Sequence, residues 1–203
     1  MKKINKPEEP KKKDEELVYT LPKTESFNRF KPNLADESKI MSETQMMLIA
    51  RLLPPLFRMR EWVKLYAINV DGTSLQTFYK NAHGSWNTLL LVEDTNGYKF
   101  GAYWWEEWST RKYFYGTGES FLFTFKNTEE DIQVFKWTGH NEHIQFSDDS
   151  SIAVGGADGK FALYLRNSFL NGVSNPCKTF DNWVLSSKED FLWKYIELWG
   201  FDY

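Results

Sequence analysis

The chain has 203 residues with 9 tryptophans, 10 tyrosines and 16 phenylalanines, enough apolar bulk for one sizeable domain plus an appendage. Its formal net charge of -3 excludes a nucleic-acid binder of the usual basic kind, and a single cysteine, Cys177, excludes an intramolecular disulfide or a cysteine zinc cluster. No apolar run approaches the roughly 20 residues that cross a bilayer, and the Lys-rich start lacks a signal peptide's apolar core. The expectation is a cytosolic protein without membrane insertion, in a reducing compartment.

Residues 1–40 hold Pro7, Pro10, Pro22 and Pro32, crowd lysines with acids, and contain no tryptophan. Such a segment cannot bury enough apolar surface to offset its ordering entropy, so it reads as an extended polar arm. Lys11, Lys12 and Lys13 form a basic knot ahead of Asp14, Glu15 and Glu16. The arm is either a solvated tail or a segment that orders on an acidic partner surface through Leu17, Val18, Tyr19, Leu21 and Phe27.

The domain proper, residues 41–203, opens with a helix. Ser42 can cap the N–H of Gln45 while that side chain reaches back, and Met46, Ile49, Ala50 and Leu53 then fall on one face before Pro54 and Pro55 stop it. Trp62 to Val70 is apolar on both faces and predicts an interior strand. Asp71-Gly72 turns the chain, and Leu75, Phe78 and Tyr79 mark a short helix capped by Thr73 or Ser74. Leu89–Val92, the hairpin signal Thr95-Asn96-Gly97 and Tyr98–Trp105 follow as paired strands.

The stretch Phe114 to Phe125 predicts the central strand. Gly116 and Gly118 supply a tight turn or bulge, after which Phe121, Phe123 and Phe125 share one face, each stabilising the core by roughly 1.5–3 kcal/mol. Glu119, between turn and strand, either reaches solvent or accepts backbone hydrogen bonds. Strands are then expected at Ile132–Trp137, Glu142–Phe146, Ser151–Val154 and Phe161–Arg166, a helical turn at Ser187–Asp190, and an interior strand from Phe191 to Phe201. That last strand carries Phe191, Trp193, Tyr195 and Trp199 on one face and Leu192, Ile196 and Leu198 on the other. The rhythm is that of packed antiparallel sheets, a mostly β fold with some α.

Reactive groups are scattered. Gly118-Glu119-Ser120-Phe121-Leu122 fails as a nucleophile elbow because Leu122 replaces the closing glycine, and Gly155-Gly156-Ala157-Asp158-Gly159-Lys160 fails as a phosphate loop because Phe161 follows the lysine. His140 and His143 with Glu142, Asp148 and Asp149 are too loosely spaced for a metal site on a strand. Cys177 reads as a packed or redox-sensitive thiol unless His83, His140 or His143 folds against it. Glu106 and Glu107 face opposite ways on a strand and make a poor acid/base pair, but Trp104, Trp105 and Trp108 beside them offer an exposed aromatic binding patch. No catalytic, metal or cofactor-binding residue is assigned.

The ordered set Trp62, Asp71-Gly72-Thr73-Ser74-Leu75, Phe78-Tyr79, Leu89–Val92, Phe100-Gly101-Ala102, Tyr115-Gly116-Thr117-Gly118-Glu119, Lys136-Trp137-Thr138-Gly139, Gly155-Gly156, Gly159-Lys160-Phe161, Asn175-Pro176-Cys177, Thr179-Phe180-Asp181-Asn182 and Glu197-Leu198-Trp199-Gly200 resembles the TLDc domain, from Ser42 to the C-terminus. The resemblance implies an antiparallel β-sandwich flanked by short helices, as in the oxidation-resistance proteins. It also implies a link to oxidative-stress protection, binding to the cytosolic part of the vacuolar proton-pumping ATPase, and no accepted catalytic mechanism. The first expectation is therefore a non-catalytic interaction module, on acidic-organelle surfaces if it meets that pump. The alternative is a structural component of a large assembly such as a ciliary axonemal microtubule, meeting tubulin or axonemal proteins through the basic arm. A third is a peroxide-handling enzyme using Cys177. Lys11, Lys12, Lys13, Asp71, Trp104, Trp105, Trp108 and Glu119 are the candidate partner-binding residues.

Overall fold

The computed structural model describes residues 19–20, 30–167 and 171–202. In chain order its elements are β1 (Tyr19–Thr20), β2 (Asn33–Leu34), α1 (Glu43–Leu52), α2 (Pro55–Arg58), β3 (Glu61–Ala67), α3 (Ile68–Asp71), α4 (Leu75–Ala82), β4 (Thr88–Asp94), β5 (Lys99–Trp104), β6 (Phe121–Lys126), β7 (Gln133–Lys136), β8 (Gln145–Ser147), β9 (Ser151–Val154), β10 (Leu163–Arg166), β11 (Gly172–Val173), β12 (Asp190–Phe191) and β13 (Trp193–Asp202). Two sheets result, in the orders β1-β7-β6-β5-β4-β13-β3-β2 and β12-β11-β10-β9-β8. Every pairing is antiparallel except that of β2 with β3.

The sheets stack face to face, and the larger one is covered on its other face as well. Leu90, Val92, Phe100, Ala102, Leu122, Ile196 and Leu198 meet Ile152, Val154, Leu163, Leu165 and Phe191 of the smaller sheet. On the opposite face, Phe121, Phe123, Phe125, Leu89, Leu91 and Trp199 pack beneath Met46, Ile49, Ala50 and Leu53 of α1 and Phe57 of α2. The large sheet is thus a middle layer, which is why β4 is buried along its whole length. The α1 cap forms as the sequence dictates: Ser42 Oγ accepts from Gln45 N, and Gln45 Oε1 accepts from Ser42 N.

Three expectations are corrected. The strand from Trp62 stops at Ala67, because the Asp71 carboxylate takes the Ala67 N–H at 2.8 Å and rolls Ile68–Asp71 into one helical turn that leaves Val70 exposed. Residues 187–189 make bends, not a helical turn, and Asp190 already belongs to β12. A register irregularity between Trp193 and Tyr195 inverts the alternation of the last strand. Phe191 and Trp193 therefore lie with Ile196 and Leu198 between the sheets, Tyr195 and Trp199 lie under the helices, and Leu192 faces solvent.

Two buried carboxylates fasten the layers. Asp94 Oδ1 accepts from Asn96 N and Tyr98 N at 2.8 and 2.9 Å, closing the β4–β5 hairpin, while Oδ2 accepts from Ser186 Oγ, Ser187 N and Ser187 Oγ at 2.6, 3.0 and 2.7 Å. Burial opposes ionisation of Asp94, but the donors from Ser186, Ser187 and Tyr98 outweigh it and hold the carboxyl below its ordinary range. Glu197 accepts from Ser38 Oγ at 2.7 Å, Lys39 N at 2.8 Å and Trp199 Nε1 at 3.0 Å, with Lys64 Nζ at 3.5 Å, and so anchors the segment entering α1 to β13.

Candidate interaction surface

The reactive side chains are held apart in structural roles. Cys177 is buried, its thiol 3.4 Å from Thr179 Oγ1, and Thr179 Oγ1 in turn donates to Asn141 Oδ1. His143 stacks on Phe114 and places Nδ1 2.8 Å from the Gly156 carbonyl, while His83 pairs with Glu107. Glu106 is bound to Arg111. Among the described residues no group of three or more His, Cys, Asp or Glu could hold a metal ion.

The proposed contact residues fare unequally. Lys11, Lys12 and Lys13 lie outside the described residues. Trp104 and Trp108 are core, not surface: their rings meet edge to face at 5.3 Å, and Trp108 Nε1 donates to Thr88 Oγ1. The exposed aromatic patch read from residues 104–108 is therefore withdrawn, since β5 runs between two covered faces and the chain turns Trp108 back inside. Of the three tryptophans only Trp105 is partly exposed, with its ring edge-on to Phe57 at 5.9 Å. Asp71 is occupied as a corner staple, with Oδ1 accepting from Asn81 Nδ2 in addition to the Ala67 bond. Glu119 reaches solvent, and after burial its charge is what raises the Tyr103 phenol above its ordinary range.

The surface the sequence reading missed lies at the β3–β13 end of the sandwich. Pro55 starts a single helical turn whose buried side chain is Phe57, so Leu56 and Met59 are thrown outward, 59% and 71% exposed. Trp86, in the connection between α4 and β4, is 56% exposed. Leu56 and Trp86 flank a groove of about 480 Å³ whose other walls include Val63, Leu65, Arg60 and Asn87. Gly200 leaves room in its floor: a Cβ there would sit 3.0 Å from Leu65 Cδ1, so a side chain at this position would push Leu65 aside by a few tenths of an ångström. Asn87 is locked by Tyr103 OH donating to its Oδ1 at 3.0 Å and by its own N–H donating to the Trp105 carbonyl. The Arg60 guanidinium stands 5.3 Å over the Phe57 ring. A groove whose walls mix Leu56, Trp86, Val63 and Leu65 with Arg60, Asn87 and Asp202 suits protein recognition better than bond-breaking chemistry. The signal available in sequence was the outward i, i+3 pair Leu56 and Met59 after Pro55, and an isolated tryptophan in a connection.

A second groove, of about 750 Å³, runs between residues 31–38 and α1. Asp36, Glu37, Glu43 and Lys31 line it, and Lys31 bridges Glu43 at 3.1 Å.

Residues 34–202 match the model of the TLDc domain. Over 174 residues, 85% of the chain, the sequence is 40% identical to oxidation resistance protein 1 of Rattus norvegicus and to that of Homo sapiens. Over 172 residues it is 38% identical to nuclear receptor coactivator 7 of Homo sapiens. The chain spans about a fifth of the length of these relatives: 20% of the oxidation resistance proteins and 18% of the coactivator. With the match extending from β2 through β13, the chain belongs to the TLDc domain family.

Proposed function

We propose that this chain is a non-catalytic interaction module that binds the cytosolic part of the vacuolar proton-pumping ATPase and contributes to protection against oxidative stress. The observation that carries the reading is the groove flanked by exposed Leu56 and Trp86, in a molecule whose thiol and the imidazoles of His83 and His143 are engaged elsewhere. The pump as partner rests on the TLDc resemblance, and the stress link on the oxidation resistance proteins among its relatives. Tryptophan and arginine are side chains in which binding energy concentrates at protein interfaces, so Trp86 and Arg60, both lining the groove, are assigned as the anchors.

A pull-down with the tagged full chain at low salt tests this. Cytosolic ATPase subunits are expected in the wild-type eluate and at least tenfold reduced with Trp86→Ala. Failure to recover any subunit with the wild-type chain contradicts the assignment, and localisation along axonemes instead of acidic vesicles supports the microtubule alternative.

A further inference from the structure

The segment that carries β2 leaves the sheet edge almost at once. β2 pairs with β3 at Asn33 and Leu34, and Ala35 N donates to the Trp62 carbonyl at 2.9 Å. The chain then crosses to β13, where Glu197 accepts from Ser38 Oγ and Lys39 N. Ser38 Oγ also accepts from Ile40 N and Met41 N at 3.1 and 3.0 Å, a tight turn after which Ile40 and Met41 are buried and Ser42 is delivered to cap α1. Two walls fixed by hydrogen bonds, residues 31–38 and the first turn of α1, therefore enclose the groove of about 750 Å³ before any partner arrives.

Its floor is apolar and its rim is acidic. Leu34 is half-buried there and Met41 and Met46 are buried, and methionine side chains adapt to partners of different shape. Asp36, Glu37 and Glu43 stand exposed along the rim, where Lys31 pairs with Glu43. Among the described residues Asp36 and Glu37 make no ion pair. The acidic rim continues past the groove: Ser42 Oγ donates to Glu129 Oε2 at 2.7 Å, and exposed Glu130 and Asp131 follow. Lys99 approaches Glu129 at 3.7 Å, which leaves the rim acidic on balance. The positive end of the α1 dipole does not reverse this, since the Ser42–Gln45 capping box occupies that end and Glu43 lies in its first turn.

We propose that this groove docks a basic segment of a protein partner, an apolar side chain resting on Leu34, Met41 and Met46 while lysines or arginines meet Asp36, Glu37, Glu43 and Glu129. Charge selects the occupant: an uncompensated acidic rim repels acidic segments and raises both on-rate and discrimination for basic ones. The apolar floor supplies what the charges alone cannot, because exposed ion pairs contribute little each. The volume holds several side chains, more than a single ion requires. Glu43 opens α1 and Leu52 ends it, and the turn carrying Leu56 follows, so this site and the Leu56–Trp86 groove lie at opposite ends of one helix and either can fail without the other.

The test is a fluorescence-anisotropy titration of the full chain with a labelled serine peptide that carries four arginines around a central leucine. Saturable binding is expected, with protection of the amides of residues 33–38 and 43–46 from hydrogen exchange. Asp36→Lys combined with Glu37→Lys is expected to weaken binding at least tenfold, and the charge-neutral Asp36→Asn with Glu37→Gln at least threefold. Both positions are exposed, so both variants are expected to melt with the wild type. A peptide with serine in place of its leucine is expected to bind at least threefold more weakly. The chain's own arm is the rival occupant, tested by the combined variant Lys11→Ser, Lys12→Ser, Lys13→Ser, Lys23→Ser and Arg29→Ser, whose affinity for the peptide is expected to rise less than threefold. No saturable binding by wild type, binding that either acid variant or the loss of the leucine leaves intact, protection elsewhere, or a gain of threefold or more on neutralising the arm each overturns the proposal.

Discussion

Replacing Asp94 by Asn is the sharpest test of how the sandwich is held together. Asn Oδ1 can keep the bonds from Asn96 N and Tyr98 N, but an amide NH₂ takes the place of Oδ2, which accepts from three donors. The two serine hydroxyls can rotate and become acceptors. The Ser187 N–H cannot, and it is left facing another donor. Losing one charge-assisted bond costs about 1.5–3 kcal/mol and a stranded donor about 1–3 kcal/mol, so a net loss of roughly 2.5–6 kcal/mol is expected. With a urea m-value of roughly 2 kcal/mol/M, the midpoint falls by about 1–3 M at neutral pH with m unchanged. The pH dependence follows from the depressed carboxyl. An Asp titrates near 3.9 when unfolded, so its contribution is fully present above about pH 4 and is lost as pH falls through the lower folded value. The wild-type advantage over Asp94→Asn should therefore narrow in acid and hold steady from pH 5 to 8. A difference under about 0.5 kcal/mol at pH 7, or one that widens in acid, refutes the reasoning.

The remaining predictions probe separate parts of the fold. Gly118→Ala places a Cβ 2.2 Å from Trp137 Cε3, displacing a ring whose Nε1 donates to the Asn141 carbonyl; a loss of about 1–3 kcal/mol in urea melts is expected, largely relieved when Trp137→Ala is added. Glu197→Ala removes the acceptor shared by Ser38, Lys39 and Trp199 and is expected to cost about 3–5 kcal/mol and to raise hydrogen exchange in residues 38–41. Trp104→Ala empties a core site at about 3–5 kcal/mol, whereas Trp86→Ala stays within about 0.5 kcal/mol of wild type in the same melts. Peroxide consumption by the pure chain is expected to be nil and unchanged by Cys177→Ala; consumption that the substitution abolishes would revive the enzymatic reading.

Local chemistry is what the sequence made legible. Ser42 and Gln45 announce the α1 cap within four residues, and the Phe121–Phe125 alternation announces a strand buried on both sides. What depends on neighbours was hidden. The inversion at Trp193 arises in the pairing of β13 with β4, and nothing within β13 marks it. Trp104 and Trp108 looked like a patch because aromatic density alone does not distinguish a core from a surface. Leu56, Met59 and Trp86 went unnoticed for the converse reason: single apolar residues in short connections mean little until the fold gathers Leu56 and Trp86 around one groove.

The central claim is that function resides in that groove. The direct measurement is calorimetric titration of the purified cytosolic sector of the proton-pumping ATPase with the wild-type chain, Trp86→Ala, and Cys177→Ala, each first shown to melt as a folded protein. Saturable binding by wild type and Cys177→Ala, weakened at least tenfold by Trp86→Ala, is the predicted result. Binding that Trp86→Ala leaves intact, or no binding by the wild-type chain, would contradict the account.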